Sequence, residues 1–110
     1  MRPKDERRRV NRELCADFVQ VTWNDQQDRR ISNVGLLEDV SPEGLCVNLE
    51  LPVPVGQTLH LHTKGFEGEA LVRYCEWSDC GYLVGVEFAE GCSWNREKWT
   101  PKHLLSLCSG

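Results

Sequence analysis

A chain of 110 residues can close one hydrophobic core and no more. Its composition, 40% hydrophobic and 27% charged, excludes a disordered polymer, and no apolar run approaches the roughly 18 residues of a membrane span. The net charge of −4 is unevenly spread: residues 1–12 carry six basic side chains (Arg2, Lys4, Arg7, Arg8, Arg9, Arg12) against Asp5 and Glu6, a local +4 that leaves −8 for the other 98 residues. An acidic body of this kind repels long polyanions, so DNA and RNA are not expected partners, whereas a small anion feels mainly the local field. No apolar segment follows the N-terminal arginines. A secretory signal and membrane insertion are therefore not expected, and a cytoplasmic location is.

In chain order, a basic arm (1–12) precedes a body (13–110). CADFVQVTW, from Cys15 to Trp23, mixes β-branched, aromatic and polar residues in the manner of a strand. The polar turn NDQQD separates it from RRISNVGLLEDV. SPEG is a second turn, with Pro42 preset for its φ and Gly44 expected to supply a positive φ. GLCVNLEL then places Leu45, Val47 and Leu49 on one face, and PVPVG punctuates before QTLHLHT, where Leu59 and Leu61 alternate with His60 and His62. GFEGEALVRYCEW is a long strand turning at SDCG into YLVGVEFA, whose Tyr82, Val84, Val86 and Phe88 share a face opposite Glu87. In the tail TPKHLLSLC, Thr100 can cap a short helix with Pro101 at its first position. About six short strands joined by tight turns predict a mainly all-β fold, a six-stranded antiparallel β-barrel closed at one end by a short C-terminal helix.

Several residue types invite chemistry and are better read as structure. The six cysteines (Cys15, Cys46, Cys75, Cys80, Cys92, Cys108) include no CxxC pair, so small buried hydrophobes are expected rather than a zinc or redox site. His60 and His62 share a strand face without an apparent third metal ligand. Trp77, Trp94 and Trp99 suit barrel-rim or helix packing. No nucleophile, base and orienting group assemble from this chain, which is not expected to be an enzyme or to carry a cofactor or metal.

Two spaced patterns stand apart. Arg8 and Arg12 form RxxxR, and after 26 intervening residues Asp39, Ser41 and Gly44 form DxSxxG. With LPVPVGQTLHLH and the closing strand YLVGVEF, this arrangement resembles the PilZ domain family, small bacterial β-barrels that act as receptors for cyclic di-GMP. The resemblance covers roughly residues 6–90. It implies a PilZ-type barrel in which Arg8 and Arg12 contact phosphate and guanine while Asp39, Ser41 and Gly44 line the guanine site. Arg7, directly before the motif, implies an intercalated pair of nucleotides, two per chain, with Arg9 adding charge to the second or pairing with the acidic body. An unidentified protein partner in motility, biofilm or exopolysaccharide control would read the closed arm. No output domain is fused within the 110 residues, which leaves the downstream role open.

The chemistry agrees with those residue types. A guanidinium forks onto a phosphate, or onto guanine O6 and N7, and stacks its plane on a purine. A carboxylate such as that of Asp39 only accepts, which suits guanine N1–H and its amino group. Asp39 and Ser41 could instead cap the SPEG turn through bonds to the backbone. The alternative to a receptor is accordingly a PilZ-like adaptor that is blind to the ligand and acts through protein–protein contact.

Overall fold

The computed structural model describes residues 13–94, 97–102 and 105–106. Seven strands follow in order: β1 (Glu13–Asn24), β2 (Arg30–Ser41), β3 (Gly44–Leu49), β4 (Thr58–His62), β5 (Glu67–Ser78), β6 (Gly81–Phe88) and β7 (Leu105–Ser106). The order β2-β3-β6-β5-β4-β1 closes on itself because β1 also pairs with β2. The result is the six-stranded antiparallel barrel that the patterning predicts, with β7 added beside Glu13 and Leu14.

Alternation decides which side chains enter the barrel. Val19 and Val21 from β1, Leu45, Val47 and Leu49 from β3, and Leu59 and Leu61 from β4 are buried, whereas His62 and Glu87 remain exposed. Val84, Val86 and Phe88 of β6 are buried together as their spacing requires, with Tyr82 half-buried at the end of the row.

Strict alternation fails at three places, each a β-bulge. In β2, Leu37 opposes Val47 and Asp39 opposes Cys46, so Glu38 is an extra residue. Leu37 and Val40 are both fully buried despite the two residues between them, and Glu38 and Asp39 are both kept off the core. In β5 the step from Val72 to Tyr74 faces the single step from Val86 to Gly85, which makes Arg73 the extra residue. β1 carries its irregularity between Leu14 and Asp17.

One end of the barrel is plugged by aromatic rings. Phe66 stacks on Trp99 with ring centroids 5.9 Å apart and tilts against Phe88 at 5.6 Å. The buried Trp94 donates its indole N–H to the Trp99 carbonyl at 2.7 Å.

No helix occurs among the described residues, so the short C-terminal helix expected after Thr100 is not found there. The backbone of Lys102 is committed to β1 instead. Its N–H donates to Asp17 Oδ2 at 3.0 Å, and its carbonyl accepts the Ala16 N–H at 3.0 Å. Leu105 and Ser106 then pair as a strand; residues 103–104 and 107–110 lie outside the described set. Among the described residues no helix is long and apolar enough to cross a membrane.

Candidate functional site

The DxSxxG residues span the end of β2, a two-residue turn and the start of β3, with Ser41 paired to Gly44 across Pro42 and Glu43. Ser41 builds that turn. Its hydroxyl accepts the N–H groups of Glu43 and Gly44, both at 3.3 Å, and donates to the Gly44 carbonyl at 3.3 Å. The capping alternative therefore holds for Ser41. Two further bonds anchor the turn from outside: the Glu43 carbonyl accepts the Phe88 N–H at 2.8 Å, and the Pro42 carbonyl accepts the Trp94 N–H at 3.4 Å.

Gly44 is needed for a reason other than the one expected. The glycines with positive φ are Gly56, Gly81 and Gly91, and Gly44 is not among them. It lies in regular strand, where a Cβ would run into the backbone carbonyl oxygen of Val86 on β6. Close approach of two strands, not a left-handed turn, excludes a side chain there.

Asp39 is half-buried on the outside of the barrel, and the Glu38 bulge is what places it there. Leu14 is its register partner on β1, and Glu13 opposes Val40. Arg7, Arg8, Arg9 and Arg12 lie outside the described residues. The point from which their segment departs, Glu13, is nonetheless fixed next to Asp39 and the DxSxxG turn.

Across the outer surface a lateral row runs from Leu14 through Asp39 and Cys46 to Gly85 and Tyr74, one residue from each of β1, β2, β3, β6 and β5. The Tyr74 ring leans back over Gly85, and its hydroxyl lies 3.7 Å from Cys46 Sγ. Cys46 is thereby buried although it sits on the outside of the sheet. Below this row, Phe18 opposes Leu36 with Val34 on the same face, all three exposed, Phe18 to 67% and Val34 to 60%.

Other candidates do not converge. His60 Nε2 lies 2.7 Å from Glu67 Oε2 on the outside of β4 and β5, and no group of three metal-ligating side chains occurs among the described residues. Among the described residues, Cys15, Cys46, Cys75, Cys80 and Cys92 form no disulfide with one another. Trp77 is 68% exposed and meets Tyr82 edge-on at a centroid distance of 5.1 Å. Two open hollows, one beside Phe66, Cys92 and Lys98 and one beside Trp23, Ile31 and Leu51, involve none of Asp39, Ser41 and Gly44. Neither hollow adjoins the candidate site. Reading the sequence alone misses Glu38 and Tyr74 as parts of it; the signal for the first was LEDV, in which two apolar residues flank two acids and break the period of two. No protein-family model matches the chain, nor does any curated protein or solved structure.

Proposed function

We propose that the protein is a cyclic di-GMP receptor of PilZ type, acting in the bacterial cytoplasm and not an enzyme. One observation carries the reading: the register of β1 against β2 sets Glu13 opposite Val40 and Leu14 opposite Asp39. An arginine-rich segment that ends at Arg12, directly before Glu13, is therefore tethered at the edge of the DxSxxG turn, although 26 residues separate the two motifs in sequence. Donors for phosphate (Arg7, Arg8, Arg9, Arg12) and an acceptor for guanine (Asp39) would meet there from separate segments. Ser41 and Gly44 keep the turn in shape, the first by its three hydrogen bonds and the second by letting β3 approach β6.

Magnitudes set a condition on this binding. Ordering about six arm residues costs on the order of 6–12 kcal/mol, while micromolar affinity corresponds to about −8 kcal/mol net. A single exposed ion pair contributes only about 1 kcal/mol or less, so several arginine contacts must form together with base stacking. Four arginines within six positions meet that condition, and Arg7 favours two nucleotides per chain over one. Closure of the arm would alter the surface next to Phe18, Val34 and Leu36, where a protein partner can read the change.

The adaptor alternative draws support from the Ser41 hydroxyl, whose bonds are already made within the turn. Calorimetric titration of cyclic di-GMP into wild type, Arg8→Ala and Asp39→Ala separates the two, with GTP and cyclic di-AMP as controls. The receptor reading expects saturable binding at two per chain, lost in both variants. One per chain would retain the receptor and discard the role given to Arg7. No binding at about 100 μM ligand, well above an ordinary micromolar Kd, would leave the adaptor.

A further inference from the structure

We infer that the outer face of β1 and β2 docks a basic amphipathic helix of a partner protein, with the helix's apolar stripe on Phe18, Val34 and Leu36 and its lysines or arginines against Glu38, Glu50 and Glu76. This docking gives the partner its chemistry and needs no cyclic di-GMP, so it serves receptor and adaptor alike. The apolar part is contiguous. Phe18 and Leu36 are register partners, with Cβ atoms about 5 Å apart. Val34 lies two residues away along β2, a distance of about 7 Å, and Leu14 carries the stripe past Phe18 on β1. Leu14 and Leu36 are 41% and 39% exposed, less than Phe18 and Val34 but far from core values. A cluster of large apolar side chains on one face, unlike single scattered ones, marks a contact site.

Charge selects the occupant. The row that crosses the sheet from Phe18 through Leu36, Asn48 and Leu83 ends at Glu76 and holds no lysine or arginine. Glu38 sits off the core between Leu36 and Asp39, and Glu50 follows β3 with its N–H on Asn33 Oδ1, the neighbour of Val34 in β2. None of these three carboxylates forms an ion pair among the described residues. Arg73, near them on β5, is matched by Glu87 at 3.4 Å. A second copy would set one acidic rim against another, with −8 on each body outside the arm, and an anionic membrane would be repelled in the same way. A basic partner is attracted on both counts. The sheet then decides the partner's secondary structure. At Leu36, β2 is paired on both sides, so no strand edge is open there for an added strand. A helix satisfies its own backbone and lays its apolar stripe on a sheet face. The length of β1 under the stripe, from Leu14 to Gln20, is up to about 20 Å, or roughly three to four helical turns.

Calorimetric titration of the full chain with a synthetic amphipathic peptide tests the inference, the peptide having about 18 residues and one leucine stripe flanked by lysines. Its control is the same peptide with glutamate at every lysine. The lysine peptide should saturate, and the glutamate twin should bind at least about tenfold more weakly. Phe18→Ser should weaken the lysine peptide at least about tenfold, and Glu38→Lys combined with Glu76→Lys roughly three- to tenfold, with thermal melts confirming that each variant folds. In isotope-labelled wild type the peptide should shift the amide signals of Phe18, Val34, Leu36 and Leu83 most. No saturable binding, equal binding of the twin, or shifts centred elsewhere overturns the inference. So does a dimer, seen by sedimentation, that Phe18→Ser dissolves, because the face would then belong to a second copy. The shift map uses wild type and decides the matter even where a variant fails to fold. Cyclic di-GMP is absent from every titration, so failure here leaves the receptor reading intact, and failure of cyclic di-GMP to bind leaves this surface intact.

Discussion

A methyl group at Gly44 is the smallest change that tests how the turn is held. It would sit against the Val86 carbonyl oxygen, a backbone atom that cannot rotate away. Gly44→Ala must therefore push β3 from β6 at the end where the Glu43 carbonyl accepts the Phe88 N–H. The expected cost is that of an overpacked site, about 1–3 kcal/mol, read as a lower midpoint in urea unfolding with an unchanged slope. Asp39→Ala should behave in the opposite way. Its side chain lies outside the core, so stability changes little while ligand binding disappears. A Gly44→Ala protein as stable as wild type would show that the strands relax freely here and that the glycine answers to something other than close approach.

Strands differ in how much of them could be read from sequence. β3, β4 and β6 were legible because none of them carries an extra residue of its own, the bulges in the ladders of β3 and β6 lying on β2 and β5, so the period of two in GLCVNL, TLHLH and GYLVGVEF maps directly onto in and out. β2 and β5 were legible as strands but not in their facing. LEDV hints at its extra residue by breaking the period of two, but whether VRYC contains one depends on how many residues the partner strand spends over the same interval, which its local pattern does not record. The same nonlocality hid Tyr74, whose placement needs Gly85 across the β5–β6 pair. Gly44 was recognised as special for the wrong reason, since proximity to SPEG suggested a turn φ while the constraint comes from β6. The tail misled in another way: Thr100–Pro101 is a sound helix start, but Lys102 finds its partners on β1. The β1–β2 hairpin shows local signals prevailing. Asp25 Oδ1 accepts the N–H groups of Gln27 and Arg29, and Oδ2 pairs with Arg29 Nε at 2.9 Å. The Arg29 backbone bond, ahead of the other contacts, holds the Asp25 carboxyl below its ordinary range. A carboxyl more acidic in the fold than in the unfolded chain stabilises above its unfolded pKa of about 4, and that contribution fades as pH falls through the lower folded value. Asp25→Asn should thus melt below wild type at pH 7, with the gap closing under about pH 4. A gap that persists in acid would assign the loss to geometry rather than charge.

At the scale of the molecule, the chain divides into a core that does not need the arm and a charge distribution that does. The buried cluster runs from Val19 to Trp94, and the strand pairings that close the barrel begin at Glu13. Removing residues 1–12 deletes none of those side chains, and it also takes away the only strongly basic segment, leaving a body of −8. A protein of residues 13–110 should therefore unfold within a few degrees of the full chain, while a dianionic ligand meets a repulsive surface. Salt gives the complementary measurement. At about 0.1 M the screening length is near 10 Å, so raising salt should weaken cyclic di-GMP binding to the full chain while slightly relieving repulsion in the truncated one. The two affinities then converge from opposite sides. If the truncated protein bound as tightly as the full chain, the arginines would be bystanders and the outer row from Asp39 to Tyr74 would have to account for recognition by itself. If both bound weakly at low salt and single-stranded oligonucleotides bound the full chain regardless of sequence, the arm would be a general polyanion contact, and its place beside Asp39 would carry no specificity.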